Sequence, residues 1–142
     1  MANFCAVVID NSSPNPMTLV DQGANYALWM QGPEETIPPN SQGKFMLVGN
    51  EALNGPNGFV TYTVTDGNGV SGRIKFFFSC PLLESNVVDW AWDPKPDPHP
   101  ALTAIYCARA GEADFSLGLE NVWQDGSVQS EGNPVTAVYF VI

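Results

Sequence analysis

Basic side chains are scarce in this sequence, and their scarcity excludes several partners. The chain has 5 Lys and Arg against 15 Asp and Glu, which gives a formal net charge of -10. Phosphate backbones are bound by clustered Lys and Arg that displace counterions, so nucleic acid is excluded as a partner. Anionic membrane surfaces are disfavoured for the same reason. A neutral or zwitterionic surface remains open to this protein.

Residues that commonly perform catalysis or bind metal are also few. The sole histidine, His99, lies between Pro98 and Pro100, where we expect it at the surface and away from any nucleophile. Nucleophilic catalysis requires a base within hydrogen-bond reach of the attacking group. One histidine and scattered cysteines give no metal-ligand pair at a familiar spacing. We therefore expect no enzymatic activity, no metal and no cofactor.

The cysteines are three, an odd number, and none lies in a C-x-x-C motif. Wide, unpatterned spacing of this kind favours reduced, buried thiols over a disulfide. We predict free thiols at Cys5, Cys80 and Cys107.

Long apolar runs and helical periodicity are absent as well. No stretch approaches the ~20 apolar residues that span a bilayer, and the start "MANFCAVVID" lacks the basic region and cleavage site of a signal peptide. We expect synthesis in the cytoplasm without a signal peptide, followed by action at a target-cell membrane after release. No sustained 3.6-residue period predicts a helix.

The sequence does contain many short β-type segments separated by Pro and Gly. Residues 59–65 alternate apolar and polar, "DGNG" supplies a reversal, and residues 73–80 alternate again, which predicts an amphipathic hairpin. The Pro-rich segment 93–101 cannot donate a ladder of hydrogen bonds and is predicted to be an extended surface loop. We predict a single all-β domain over 1–142, an antiparallel β-sandwich. Further strands are expected near 4–10, 17–20, 26–30, 44–49, 86–92, 102–109, 115–119 and 135–142.

Three consecutive phenylalanines follow the turn, at 76, 77 and 78. Successive residues of a strand point to opposite faces, so the three cannot share one core layer. If Phe76 and Phe78 fill the core, Phe77 lies on the other face, where an apolar ring needs a cover. A loop of the same chain, a membrane or a partner could supply that cover.

Aromatic residues elsewhere suggest a binding surface. "NVVDWAWDP" places two tryptophans on one side of a strand, and "NYALWMQGPEE" groups a tyrosine, a tryptophan and a methionine. Trp and Tyr suit the boundary between acyl chains and headgroups, and they also stack on sugar rings. Some exposed aromatic surface near one end of the sandwich is therefore expected. The predicted membrane- or ligand-binding residues are Trp90, Trp92, Trp29, Tyr26 and Phe77.

The order of several segments resembles the aegerolysins, small acidic β-sandwich proteins of fungi and bacteria. The segments are "VVIDNSS", "MTLVDQGANYALWMQGPEETIPPNSQGKFM", "NGFVTYTVTDG" and "KFFFSCPLLESN", and the likeness covers residues 5 to about 90. It lies nearer the bacterial branch, which includes components of binary insecticidal toxins, because the fungal "CPWG" sequence and an N-terminal Trp are missing. The "DPKPDPHP" insertion departs from the family pattern.

This resemblance implies binding to a neutral or zwitterionic membrane lipid, together with a larger pore-forming partner protein. We accordingly expect the small component of a two-component cytolytic, insecticidal toxin whose affinity rises with homo-oligomerisation or with that partner. A carbohydrate-binding, lectin-like β-sandwich is an alternative. The chain also resembles the actinoporins, stand-alone pore formers, but it has no long amphipathic N-terminal helix to insert, since Asp10 to Pro16 already turn the chain.

Overall fold

A computed structural model describes residues 4–49, 56–79, 87–109 and 135–142. These residues form strands, turns and loops, and no helix among them is long and apolar enough to cross a bilayer. The strands are β1 (Phe4–Asn11), β2 (Met17–Asn25), β3 (Ala27–Gln31), β4 (Thr36–Ile37), β5 (Ser41–Gly49), β6 (Asn57–Thr65), β7 (Ser71–Ser79), β8 (Val87–Trp92), β9 (Ile105–Arg109) and β10 (Val135–Val141).

Two five-stranded sheets enclose the core, and the predicted all-β sandwich is confirmed. The first sheet has the order β3-β5-β1-β10-β9 and the second has the order β4-β2-β6-β7-β8. One pair departs from the antiparallel expectation, because β1 and β10 run parallel, with Val7 opposite Ala137. The short strand β4 was not predicted from the sequence, because its two residues lie between two acidic residues and two prolines. The strand expected at 115–119 lies outside the described residues.

The core is apolar and lies between the sheets. Val7 and Leu47 of the first sheet and Ile74 of the second are buried in one cluster. Aromatic rings join the two sheets, since Phe76 meets Tyr139 with ring centroids 4.8 Å apart in an edge-to-face arrangement. Such pairs add stabilisation beyond the area that they bury.

The predicted hairpin is confirmed in β6 and β7, which pair along their whole length. The carboxylate of Asp66 accepts hydrogen bonds from the backbone amides of Asn68, Val70 and Ala101, each at 2.9 Å. These hydrogen bonds lower the pKa of Asp66 because they stabilise its charged form, and the bond from Val70 has the largest effect. Burial has the opposite, smaller effect on this pKa. Gly69 completes the turn at φ 81°, which glycine adopts without strain.

The prediction of free thiols is wrong for Cys5, which is disulfide-bonded. Its side chain is fully buried in the core. The side chains of Cys80 and Cys107 lie outside the described part of the chain. Spacing along a sequence does not reveal which cysteines a sheet brings together, and this is why the prediction failed.

Candidate functional site

The two tryptophans of β8 face the core. Trp90 lies opposite Phe76 and Trp92 lies opposite Ile74, and both of those partners are buried. The two indoles meet edge to face, with ring centroids 6.1 Å apart. They are only half-buried, because β8 is the last strand of its sheet in the part of the chain that the structure describes. The two tryptophans alternate along β8 with Asp89 and Ala91, which are exposed. This alternation was the sequence signal for the orientation of the indoles.

A cleft of about 360 Å³ opens beside these indoles, lined also by Leu102 and Ile105. His99 is exposed, as expected, and its ring lies 5.4 Å from the ring of Trp92. The Pro-rich loop contains no strand, and most of it is exposed, in agreement with its prediction as a surface loop. It packs closely on β7, since a Cβ added at Gly72 would lie 3.1 Å from Pro96 Cγ and 3.2 Å from Pro100 Cδ.

Trp29 of β3 also points inward. Its indole packs edge to face against Phe45, at 5.8 Å between centroids, and against Phe78, at 6.3 Å. The side chain is half-buried because β3 is an edge strand. The three tryptophans of the described residues therefore lie at the margins of the core. Trp123 lies outside the described part of the chain.

Phe77 lies on the outer face of the second sheet, directly opposite Phe59. Its cover comes from the same chain, because the Lys75 ammonium lies 4.2 Å from the centroid of the Phe59 ring and 5.1 Å from that of Phe77. Cation–π attraction of this kind holds the lysine over the rings. Phe59 in turn lies over Gly23, where an added Cβ would be 2.4 Å from its Cε1 atom. Phe77 is half-buried as a result.

Tyr26 is different, because it lies in a strip of apolar side chains that remain open to solvent. Tyr26 is 46% exposed, Leu28 is 61% exposed and Met30 is 58% exposed. We call these three residues the apolar strip. Sequence reasoning identified Tyr26 but did not select Leu28 or Met30 as site residues. The alternation of the strip with Ala27 and Trp29, which face the core, was the signal that could have found them.

The backbone is strained at one end of the strip. Tyr26 has φ 55°, a left-handed conformation that costs a non-glycine residue roughly 1–2 kcal/mol. It joins β2, which ends at Asn25, to β3, which begins at Ala27. Strained residues of this kind cluster at functional sites. At the other end, the register of β3 against β5 shifts between Trp29 and Gln31, so that Met30 is the extra residue of a bulge.

A shallow polar depression of about 680 Å³ adjoins the far end of the strip. It begins at Gln31, the residue after Met30, and its wall includes the ends of β1 and β5. Sequence reasoning did not predict it, because its residues come from three strands and three loops that only the fold brings together. Its lining residues are Asp10, Ser12, Gln31, Glu34, Asn40, Ser41, Gln42 and Lys44.

A third concavity lies where the Pro-rich loop meets the second sheet. It has a volume of about 520 Å³, and its walls carry Thr63 and Arg73 on one side and Pro96 and Asp97 on the other. Among the described residues no group of His, Cys, Asp and Glu side chains could hold a metal ion.

Comparison with known proteins supports the fold. No protein-family model matches the sequence, and no curated protein matches it. Among solved structures, the X-ray crystal structure of the Xerocomus chrysenteron lectin XCL is similar, with a TM-score of 0.53 and 13% sequence identity. The alignment covers 100% of this chain and 99% of the lectin chain. At this identity the likeness shows a shared β-sandwich fold and nothing further.

Proposed function

We propose that this protein is a binding protein, not an enzyme, that attaches to neutral or zwitterionic membranes through the apolar strip. The observation that carries this proposal is the exposure of Leu28 and Met30 on the edge strand β3, and of Tyr26 directly before it. Contiguous exposed apolar side chains on a folded protein commonly mark an interaction surface. The tyrosine ring, with an apolar body and a polar hydroxyl, suits the headgroup boundary.

The energetics favour weak attachment of a single molecule. Transferring a fully exposed Leu or Met side chain out of water contributes roughly 1.5–3 kcal/mol, and a partly exposed one contributes less. Three such residues hold a monomer at a bilayer only weakly. Self-association, or a partner protein on the same membrane, would raise the affinity through effective concentration. The net charge of -10 supports a target without negative surface charge.

Co-sedimentation with phosphatidylcholine vesicles, with and without sphingomyelin, tests the strip. We expect binding that is insensitive to salt, because apolar transfer is not screened by ions. Binding should fall at least about tenfold in a Leu28→Ser, Met30→Ser double variant. Tyr26→Gly is a useful third substitution, because glycine adopts the positive φ of this position. Salt-insensitive binding that survives all three changes would reject the strip as the membrane contact.

A matched control uses the tryptophans. Trp90 and Trp92 were predicted as membrane contacts, yet they face the core and are half-buried. Trp90→Phe and Trp92→Phe variants keep an aromatic body at these positions, and we expect them to bind vesicles as the native chain does. Loss of binding in these variants at native stability would return the membrane contact to β8.

The finer proposal is that the chain is the small component of a two-component pore-forming, cytolytic and insecticidal toxin of the aegerolysin kind. Its support is the order of sequence segments described above. The purified chain alone should then leave dye-loaded phosphatidylcholine–sphingomyelin vesicles intact, and leakage should require a larger pore-forming protein. Leakage caused by the chain alone would instead favour a stand-alone, actinoporin-like pore former.

A lectin-like function is the second candidate, favoured by the fold shared with a protein that is described as a lectin. Stacking of Trp90, Trp92 or Trp29 on sugar rings has less support, because all three indoles pack against core residues. Saccharide recognition by this chain would need another surface.

A further inference from the structure

The polar depression has a fixed frame. The buried Tyr62 hydroxyl donates a hydrogen bond to the backbone carbonyl of Glu34 at 2.6 Å. Burial raises the pKa of Tyr62 well above its usual range, and the Glu34 carboxylate adds to the rise, so the hydroxyl stays protonated as a donor. Two further bonds, from the Gln31 amide to the Lys44 carbonyl at 2.9 Å and from the Lys44 amide to the Glu34 carboxylate at 3.3 Å, join β3, β5 and the connecting loop.

A buried asparagine fixes the opposite wall. Asn11 is fully buried, and its side-chain amide donates to the carbonyls of Ile37, at 3.1 Å, and Pro38, at 3.2 Å. The chain then turns at Asn40, which has φ 57°. Asparagine tolerates this conformation better than most residues. The hydrogen bonds from Asn11 therefore fix the loop that carries Asn40, and the depression is formed without a ligand.

Several polar groups at the surface of the depression have no hydrogen-bond partner among the residues that the structure describes. No hydrogen bond or ion pair joins the Lys44 ammonium or the Asn40 side-chain amide to the described part of the chain, and Gln42 uses only its NH₂ group, on the Asp10 carboxylate at 3.4 Å. Lysine supplies donors, the asparagine amide supplies donors and an acceptor, and the glutamine oxygen supplies an acceptor. Donors and acceptors that converge on one concave surface are the kind of groups that orient a small ligand.

We propose that the polar depression binds a short, uncharged saccharide. Each sugar hydroxyl both donates and accepts a hydrogen bond, which matches the mixture of free groups. The lining contains one lysine and two carboxylates, those of Asp10 and Glu34. The depression therefore has no excess of positive charge that would select a phosphate, a sulfate or an acidic sugar. The site is separate from the apolar strip and does not depend on membrane attachment.

The depression lies next to the apolar strip, and this position bears on the source of the saccharide. Gln31 of the depression follows Met30 of the apolar strip along β3. A bilayer that contacts the strip would bring its headgroups close to the depression. The same hydroxyl chemistry is offered by a free glycan and by the headgroup of a neutral glycolipid, and the two sources are distinguished by experiment.

The test uses the whole chain and an array of immobilised neutral oligosaccharides that end in glucose, galactose, mannose or their N-acetylamino forms. Binding should fall about tenfold or more in an Asn40→Gly, Gln42→Ala double variant, because each lost hydrogen bond to the ligand weakens it. Asn40→Gly keeps the positive φ, so the loop retains its path. Gln22→Ala, an exposed glutamine on β2, is the matched control and should bind as the native chain does.

A vesicle arm separates the sources. Phosphatidylcholine vesicles with and without a neutral glycosphingolipid are compared for the native chain, the depression variant and the Leu28→Ser, Met30→Ser variant. Array binding that the strip variant retains supports the saccharide site even if the membrane proposal fails. Binding to glycolipid vesicles alone, lost in the depression variant, identifies the lipid-borne source. No array or glycolipid binding by the native chain, or binding that the depression variant retains, overturns the proposal.

Discussion

The two sheets of this sandwich both carry apolar side chains outside the core, but these side chains differ in how far they are covered. On the second sheet, Phe59 and Phe77 lie side by side beneath the Lys75 ammonium. At the edge of the first sheet, no cation–π contact among the described residues covers the neighbourhood of Leu28 and Met30, and both side chains are more than half exposed. An apolar side chain on an outer face is therefore not a binding residue in itself. Whether it is available for binding depends on which groups of the same chain cover it.

The largest effect that sharpens this comparison is expected at Phe76, the neighbour of Phe77 that points inward. Phe76→Ala should lower the free energy of unfolding by about 3–5 kcal/mol, because it leaves a cavity between Tyr62 and Tyr139. Phe77→Ala removes a half-buried ring and should cost about 1 kcal/mol. Urea denaturation of the native chain and both variants measures the difference. Equal losses would mean that the outer face is packed as tightly as the core.

Removing the lysine that covers the second sheet should produce an intermediate effect. Lys75→Ala is expected to lower the free energy of unfolding by about 1 kcal/mol, since it removes a cation–π contact and the aliphatic stem that shields the rings. The newly exposed Phe59 and Phe77 should also increase binding of a fluorescent apolar dye. Arg73→Ala, on the same strand face, is the control and should leave dye binding unchanged. No change in Lys75→Ala would show that the rings are covered by something other than the ammonium.

A smaller effect, confined to acid, is expected at the turn between β6 and β7. The folded pKa of Asp66 lies below its unfolded value of about 3.9. Asp66 therefore contributes stability above that value, and the contribution is lost as the pH falls through the folded pKa. Asp66→Asn should be less stable than the native chain at pH 7, and the gap should narrow below about pH 4. Denaturation midpoints measured across this range test the sign.

The control for that series is Ser71→Ala, which removes a hydroxyl bonded to Thr65 in the same hairpin and no titrating group. Its difference from the native chain should not vary with pH. A gap for Asp66→Asn that stays constant down to pH 3 would contradict the role given to the carboxylate.

The smallest effect on folding is expected in the apolar strip. Leu28→Ala should change the free energy of unfolding by no more than about 0.5 kcal/mol, because an exposed side chain leaves no cavity. Thermal and urea denaturation of this variant beside Phe77→Ala provide the comparison. A loss larger than that of Phe77→Ala would mean that Leu28 packs inside the fold and is unavailable to a membrane.

Much of the fold was predictable from the sequence, because strand periodicity and turn residues act locally. The hairpin of β6 and β7 was marked by alternation on both sides of "DGNG" and by residues that favour the turn. The parallel pairing of β1 with β10 was not marked, since it joins residues more than a hundred positions apart. The disulfide at Cys5 depends on the same kind of distant contact.

The candidate site was predictable only in part, for a related reason. Alternation shows which residues share a face of a strand, but it does not show which face meets the core. Trp29 was predicted to lie at the surface because indole rings suit a membrane interface. In the structure, the Trp29 indole packs against the core, and Leu28 and Met30 point to solvent. The polar depression has no local signature at all, since Asp10, Gln31 and Lys44 come from three different strands.

The position of β1 has a consequence for how this chain is made. β1 lies between β5, which ends at Gly49, and β10, which ends at Val141. A ribosome delivers β5 early, so one side of β1 can pair while translation continues. The other side must wait for the last strand, and long-range pairing of this kind slows folding and leaves a nascent edge open to wrong partners. The first sheet therefore stays incomplete until β10 has been synthesised.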